Sequence, residues 1–144
     1  MPPAPVPQSV SEFLSEPHFA VVATLRADGC PHTVATWYDW EDDRILLSMD
    51  VSRARLRHLR ADPRIALTVM DRHDPYRHIS LIATVESMQP DEGLADIDRL
   101  AWRYLGKPYM TRDSPRVSVW ARVESWHGWD ASGERKVTDA SWGD

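Results

Sequence analysis

The sequence predicts a mainly β protein of α+β class, in which six antiparallel strands curl into a small barrel with short flanking helices. Three observations support this prediction. Six runs of apolar and β-branched residues alternate with turn signals along the 144 residues. Asp28-Gly29 is a strong hairpin signal between the first two runs. The regular strand–helix alternation of a parallel sheet is missing.

The first half of the chain contains a helix and three strands. Ser9 or Ser11 can cap the helix, which ends before Pro17. The hairpin at Asp28-Gly29 and a turn at "EDDR" join the strands into an antiparallel meander. The predicted elements are a helix over residues 9–16 and strands over 18–27, 31–40 and 44–50.

The second half begins with an arginine-rich helix over residues 53–60, whose Leu56 and Leu59 share one stripe. Pro63 ends this helix because proline disfavours the helical conformation of the preceding residue. Pro90 is expected to open a longer helix that Gly106 stops. The strands of this half are predicted over residues 64–71, 77–88 and 115–129.

One domain is expected over residues 9–129. The prolines of residues 1–8 favour an extended, poorly ordered arm. Residues 130–144 are polar and aperiodic, which predicts a flexible tail.

Composition narrows the classes of partner. The net charge of -5 argues against general nucleic-acid affinity, since phosphate binding needs a positive surface. No apolar run approaches the length of a membrane span, and the N-terminus does not resemble a signal peptide. Cys30 is the single cysteine, so no intrachain disulfide can form. We therefore expect a cytoplasmic protein without nucleic-acid or membrane partners.

Motifs of known chemistry are sparse. The six histidines show no HxxH or HxxxH pair and no cysteine partner, so no metal site is predicted. The chain has no GxSxG, GxGxxG or GxxxxGK[ST] motif. No catalytic residue is assigned. The seven tryptophans fit two interpretations, half-buried surface residues or the lining of a dimer interface or aromatic pocket.

The segment "SRARLRHLRADPRIALTV" concentrates positive charge in an acidic chain. One interpretation is a solvated helix face. Another is a phosphate cradle, in which Arg55 and Arg57 form forked, charge-assisted hydrogen bonds. A nucleic-acid patch is the weakest of the three because no aromatic residues interleave with the arginines.

Three segments carry a resemblance over residues 13–123: "FLSEPHFAVVATLRADGCPHTVATWYDWEDDRILLSM", "RLRHLRADPRIALTV" and "PYRHISLIATVE". They resemble the pyridoxamine 5'-phosphate oxidase-like split-barrel superfamily. Within it they are most similar to the flavin- and deazaflavin-dependent oxidoreductases, the class that uses coenzyme F420. The resemblance implies the FMN-binding type of six-stranded split barrel. It also implies a homodimer with two cofactor sites between the subunits.

The same resemblance implies the cofactor-binding residues. The cofactor ring is expected against Thr36, Trp37, Ser48 and Met49. The family's Lys-x-Arg-Asn-Leu phosphate segment matches residues 55–59, and it implies Arg55, Arg57 and His58 as ligands. Beside this pattern, Arg53, Arg60 and Arg64 are interpreted as ordinary surface charge. Tyr76 and His78 are expected to approach the cofactor of the partner subunit. The chain departs from the family pattern at four positions: Arg55 for lysine, His58 for asparagine, Thr36 for proline and Ala83 for glycine.

Three functions remain open at this point. The first is a reductase that passes hydride from reduced coenzyme F420 to an unsaturated small-molecule acceptor. The second is an FMN-binding oxidoreductase on the same scaffold. The third is a non-catalytic flavin- or deazaflavin-binding protein. In the first case the proton could come from water, Tyr76 or His78.

Overall fold

The structure, a computed structural model, describes residues 1–129 and 136–142. Eight strands form one antiparallel sheet in the order β2-β1-β5-β6-β7-β4-β3, and β8 pairs with β7. The predicted antiparallel β class with short flanking helices is confirmed. The strands are β1 (Phe19–Leu25), β2 (Pro31–Thr36), β3 (Asp39–Glu41), β4 (Arg44–Asp50), β5 (Arg64–Met70), β6 (His78–Pro90), β7 (Arg116–Trp129) and β8 (Lys136–Val137).

Three α-helices flank the sheet, and their bounds are α1 (Gln8–Leu14), α2 (Ala54–Ala61) and α3 (Ala95–Leu105). A short 3-10 helix, Glu92–Leu94, precedes α3. Leu56 and Leu59 of α2 are buried, as their spacing predicts. Gly106 ends α3 in the left-handed conformation that glycine adopts without steric cost. Among the described residues no helix is long and apolar enough to cross a membrane.

The core lies inside the curled sheet. Alternate residues of β1 and β5 point inward, because successive side chains of a strand face opposite sides. Val10, Phe13 and Leu14 of α1 are fully or almost fully buried and belong to the same apolar cluster. Helix α1 therefore packs on the core and covers part of it.

The strand predicted over residues 31–40 is wrong in one respect, since it breaks at Trp37 and Tyr38 into β2 and β3. Tyr38 is fully buried, and its hydroxyl contacts the carbonyl oxygens of Leu14 at 2.9 Å and Glu16 at 3.1 Å. The carbonyl of Tyr38 accepts from Arg103 Nε at 2.9 Å. The N–H of Tyr38 donates to the Tyr104 hydroxyl at 3.3 Å, so side chains of α3 satisfy both backbone groups of Tyr38 in place of a strand partner. Together with β8, the break raises the strand count from six to eight.

Two predicted helix starts also need correction. Pro90 ends β6 and does not open a helix. The carboxylate of Asp91 instead accepts the backbone N–H groups of Asp96 and Ile97, both at 2.9 Å, as α3 begins. At α1 the N-cap is Pro7, without a side-chain bond. Ser11 accepts a hydrogen bond from Trp40 Nε1 at 2.9 Å, so neither predicted serine caps that helix.

The described parts of the two chain ends pack on the barrel, and the flexibility predicted for the arm and the tail stays a prediction. Pro3 forms a β-bridge with Ser125 of β7. Beyond β8, Trp142 is fully buried, stacks edge-on against Phe13, and donates from Nε1 to the carbonyl of Trp129 at 3.0 Å. Apolar burial of a large ring accounts for this order. Residues 130–135 and 143–144 of the predicted tail lie outside the described residues.

Candidate active site

A groove of ≈ 890 Å³ opens between the β1–β2 hairpin on one side and β4, α2, α3 and the start of β7 on the other. Its lining is apolar along the hairpin and polar near α2. The lining residues are Phe19, Ala20, Val21, His32, Val34, Ala35, Thr36, Trp37, Ser48, Arg53, Ala54, Arg55, Met70, Ile97, Leu100, Tyr109 and Arg116. This set includes three arginines and no carboxylate, although the chain as a whole is acidic.

Local sequence explains how the arginines meet. At the end of β4, the carboxylate of Asp50 accepts from the N–H of Ser52 at 2.9 Å and from its hydroxyl at 2.7 Å. This turn makes Arg53 the N-cap of α2 and places Arg55 in its first turn. Arg116 begins β7 directly opposite Asp50. Neighbouring strand ends therefore bring arginines from two distant segments into one wall.

Arg55 is the unusual member of that wall. It is 9% exposed, and its Nη1 is buried without a hydrogen-bond partner among the described residues. Burial lowers the pKa of its guanidinium, and the positive charges of Arg53 and Arg116 lower it further. A buried cation without a partner is destabilising, so the site favours an anion that would satisfy it.

Arg116 is held in place by its neighbours. Its Nε donates to Ser48 Oγ at 2.8 Å and its Nη2 to the Ser48 carbonyl at 3.3 Å. Its guanidinium carbon lies 5.1 Å from the centre of the Tyr109 ring, a cation–π contact. These contacts leave Arg116 without a carboxylate within salt-bridge distance among the described residues.

An aromatic cluster adjoins the arginine wall through Tyr109. Trp37 stacks on Tyr104 with ring centres 5.3 Å apart and planes at 7°, and Tyr109 meets its edge at 6.3 Å. The Tyr104 hydroxyl donates to the His18 carbonyl at 2.6 Å. Tyr109 is fixed through its backbone N–H, which donates to Asp98 at 3.0 Å. A flat conjugated ring fits such a wall by stacking.

Comparison with known proteins decides the family. The family model of pyridoxamine 5'-phosphate oxidase matches residues 6–130, most of the chain. The chain belongs to the pyridoxamine 5'-phosphate oxidase family. The predicted split-barrel superfamily is thereby confirmed.

The proteins to which this chain is similar include two reductases. An F420H(2)-dependent biliverdin reductase from Mycobacterium tuberculosis (strain CDC 1551 / Oshkosh) is 31% identical over 107 residues, which cover 74% of this chain and 75% of the relative. A solved structure of an F420 reductase superposes with a TM-score of 0.77 at 28% identity, covering 84% of this chain and 98% of that one. A conserved hypothetical protein from Mycobacterium tuberculosis gives a TM-score of 0.71 at 26% identity, with 91% and 88% covered.

Four of the residues that the family resemblance implies for the cofactor line the groove, and five do not. Thr36, Trp37, Ser48 and Arg55 are in its walls. The five that lie elsewhere in this chain are Met49, Arg57, His58, Tyr76 and His78.

Each of these five has a clear position. Met49 is fully buried in the core, and Arg57 is exposed on α2. His58 contacts Thr24 Oγ1 through Nδ1 at 2.9 Å. Tyr76 is 72% exposed on the loop before β6, and His78 Nδ1 lies 2.9 Å from the Tyr76 carbonyl oxygen. Of the residues in the phosphate segment that the resemblance implies, Arg55 therefore lines the groove, whereas Arg57 and His58 do not.

The sequence interpretation missed several groove residues. Arg53 was interpreted as surface charge, but it lines the groove beside Arg55. Arg116, Tyr109 and His32 come from β7, the segment after α3 and β2, and no short motif links them. The position of Arg116 could have been used as a signal. It is the first residue of the last strand, and a long side chain there can reach the end of a neighbouring strand. Among the described residues no three His, Cys, Asp or Glu side chains cluster as a metal site would need.

Proposed function

We propose that the protein is a coenzyme F420-dependent reductase that transfers hydride from the reduced deazaflavin to an unsaturated small-molecule acceptor. The observation that carries the proposal is Arg55, a buried cation without a partner among the described residues, in a groove lined by two further arginines. The related reductases support the choice of cofactor, because their names state dependence on F420. The acceptor and the hydride step belong to the proposal.

The enzyme class follows from the comparisons with known proteins. Family membership and the two related reductases identify the chain as an oxidoreductase of the deazaflavin or flavin class. Coenzyme F420 is the cofactor that these relatives indicate, and FMN is the alternative that the family indicates.

The groove fits the phosphate group that both cofactors carry. Arg55 offers an unused Nη1, and Arg53 and Arg116 extend the positive wall on either side. Each charge-assisted hydrogen bond to a phosphate oxygen contributes about 1.5–3 kcal/mol. A bound phosphate would also offset the electrostatic repulsion among the three guanidinium groups. These residues would therefore hold the cofactor's phosphate, with Thr36, Trp37 and Ser48 beside its ring.

When bound, reduced coenzyme F420 supplies the hydride, and the protein supplies the surroundings. The arginine wall binds and orients the charged end of the cofactor. Trp37, held by Tyr104, provides a rigid face for a flat ring. Apolar side chains of β1, β2 and α3 exclude water from the rest of the groove. Orientation and desolvation are the protein's share of the chemistry.

No carboxyl group lines the groove, so no residue is assigned as a general acid. Proton delivery from water, or from Tyr76 or His78 of a second copy of the chain, fits the proposal. The same feature keeps a non-catalytic cofactor-binding protein as the second candidate. That candidate predicts cofactor binding without turnover of any acceptor.

The deciding experiment is a titration of the purified protein with coenzyme F420 and with FMN, followed by fluorescence and visible absorption. We expect tight binding of coenzyme F420 and oxidation of its reduced form by a panel of enones, imines and tetrapyrroles. Tight binding of FMN alone would favour the FMN-dependent alternative. Binding of coenzyme F420 without turnover of any acceptor would favour the binding-protein candidate.

A pair of variants tests the phosphate wall within this titration. Arg55→Ala removes the buried guanidinium, whereas Arg57→Ala removes an exposed one two residues further along α2. We expect affinity to fall at least tenfold in Arg55→Ala and to stay within threefold in Arg57→Ala. A larger loss in Arg57→Ala would restore the family's full phosphate segment as the ligand set.

A homodimer with shared cofactor sites is part of the proposal, as is a cytoplasmic location. The exposed face of the sheet supports the dimer: Ile82 is 39% exposed beside a depression of ≈ 200 Å³ lined by Val21, Ala23 and Ala66. Sedimentation equilibrium tests it with Ile82→Glu. The control is Val51→Glu, at a 48% exposed site after β4. We expect only Ile82→Glu to yield monomers. A monomeric native protein would exclude the shared sites.

A further inference from the structure

The β2 wall of the groove carries a histidine that the proposed function has not used. His32 lines the groove, and its ring meets that of His58 edge-on, with centres 5.5 Å apart and planes at 80°. His58 is itself fixed by the 2.9 Å contact between its Nδ1 and Thr24 Oγ1. Thr24 pairs with His32 across the β1–β2 ladder. The His32 ring therefore packs against a His58 ring that is itself fixed, and the backbone of His32 is set by its pairing with β1.

The geometry also brings His32 to the arginine wall. On α2, Arg55 and His58 are three residues apart and share a helix face. His58 contacts His32, while Arg55 lines the same groove as His32. The groove is thus bounded by Arg55 on the helix side and by His32 on the strand side. An anion between these walls would have cationic groups on both.

His32 lacks the bonds of a structural histidine. Its Nδ1 is buried and has no hydrogen-bond partner in the part of the chain that the structure describes. A buried polar atom left unpaired costs about 1–3 kcal/mol. His18 and His127 also have such a nitrogen, but His32 differs from them because it lines the groove that holds Arg53, Arg55 and Arg116.

Positively charged side chains face His58 from α2 and from the end of β1. Arg26 follows β1, and Arg57 and His58 lie on α2. Asp28 of the hairpin turn is 3.7 Å from Arg26 and offsets that charge in part. Burial lowers the pKa of His58, and His32, Arg57 and Arg26 lower it further. Without an anion, these surroundings favour the neutral form of the His58 imidazole.

We propose that His32 is an additional ligand of the anion in the groove and that it binds the anion as an imidazolium, held in position by His58. The inference rests on the proposed function, because it concerns the same phosphate-type anion. Binding would then take up a proton. The affinity for a phosphate-type anion therefore rises as the pH falls from 8.5 to 5.5, and His32 is the residue responsible.

The first test follows the histidine rings themselves. Two-dimensional NMR of ¹³C-histidine-labelled protein, with His32 assigned by comparison with His32→Gln, gives the titration of each ring with and without sodium sulfate. Sulfate is the probe because its own charge is constant over this pH range. We expect sulfate to raise the proton affinity of His32 about tenfold and to leave that of His73, on an exposed loop, unchanged. Equal titration of His32 with and without sulfate would overturn the proposal.

The second test measures the affinity for coenzyme F420 by equilibrium dialysis at pH 5.5, 7.0 and 8.5. We compare the native protein with His32→Gln and with the matched control His73→Gln. Titration of the cofactor itself affects all three proteins equally and cancels in the ratios. We expect the native and control proteins to lose about tenfold more affinity than His32→Gln between pH 5.5 and pH 8.5. An identical pH dependence in all three proteins would refute the role of His32.

The two tests separate failure of this inference from failure of the proposed function. If coenzyme F420 and FMN do not bind at any pH, the proposed function fails, and the sulfate titration still decides the role of His32. His58→Ala tests the positioning role. We expect it to reduce the sulfate-induced change at His32 by at least half, and an unchanged response would remove His58 from the proposal.

Discussion

Arg55 is predicted to favour ligand binding at the expense of stability. In Arg55→Met the side chain keeps most of its apolar stem and loses the guanidinium whose Nη1 is unpartnered among the described residues. An unpaired buried polar group costs about 1–3 kcal/mol. Recovery of about 1 kcal/mol of it would raise the melting temperature of the cofactor-free protein by about 2–4 °C. The same change removes one or two charge-assisted bonds to phosphate, about 1.5–3 kcal/mol each.

The assay combines thermal unfolding without cofactor and titration with coenzyme F420. We expect Arg55→Met to melt at a higher temperature and to bind at least tenfold more weakly, a loss of about 1.4 kcal/mol. Arg60→Met is the matched control, because Arg60 is exposed on the same helix. Arg55→Lys restores the charge at the family's usual residue and should recover part of the affinity. The reasoning is refuted if Arg55→Met binds within threefold of the native protein, or if it melts at a lower temperature.

Three further predictions concern stability. Gly128→Ala should cost about 1–3 kcal/mol in urea unfolding, because a methyl group there would overlap the Trp142 ring. Arg103→Met should cost at least about 2 kcal/mol, measured the same way, because Arg103 donates to four backbone carbonyls. Burial lowers the pKa of His18 below 6.5, so the neutral ring is favoured in the folded state. The contribution of His18 to the stability of the fold is complete above pH 6.5 and is lost as the pH falls through the pKa of the folded state. His18→Phe should therefore reduce the loss of melting temperature between pH 8 and pH 5 in thermal scans.

Each of the three has an outcome that would contradict it. Native-like stability of Gly128→Ala would mean that Trp142 does not occupy its place beside β7 in solution. A cost below about 0.5 kcal/mol for Arg103→Met would show that water replaces its bonds. A melting temperature of His18→Phe that falls with acid as steeply as that of the native protein would assign the acid sensitivity to other groups.

The strands were predictable because their signals are local. Alternating burial in β1 and β5 follows from period-two patterning, and the DG pair marks the hairpin. The break at Tyr38 was not predictable, because its cause is a set of hydrogen bonds from α1 and α3, distant in sequence. The burial of Trp142 was not predictable either, because the polar sequence around it has no strand or helix periodicity.

The groove was predictable only in part, for a related reason. Arg55 and the Thr36–Trp37 pair belong to segments with a family pattern, and they line the groove. From the sequence Arg53 is interpreted as surface charge. In the structure the turn at Asp50 places it in the groove wall beside Arg55. Arg116 and His32 join this site through strand pairing, which no spacing within one segment reveals.

Strand β7 determines when folding can be completed. It separates a four-stranded half, β2-β1-β5-β6, from the two-stranded half β4-β3, and it pairs with both. A growing chain that lacks residues 116–129 therefore has two sheet fragments with open edges, which are prone to aggregate. Closure has to await synthesis of β7, as does the arginine wall, because Arg116 is its first residue. A frameshift anywhere before β7 should abolish both solubility and anion binding, however much of the earlier sequence is intact.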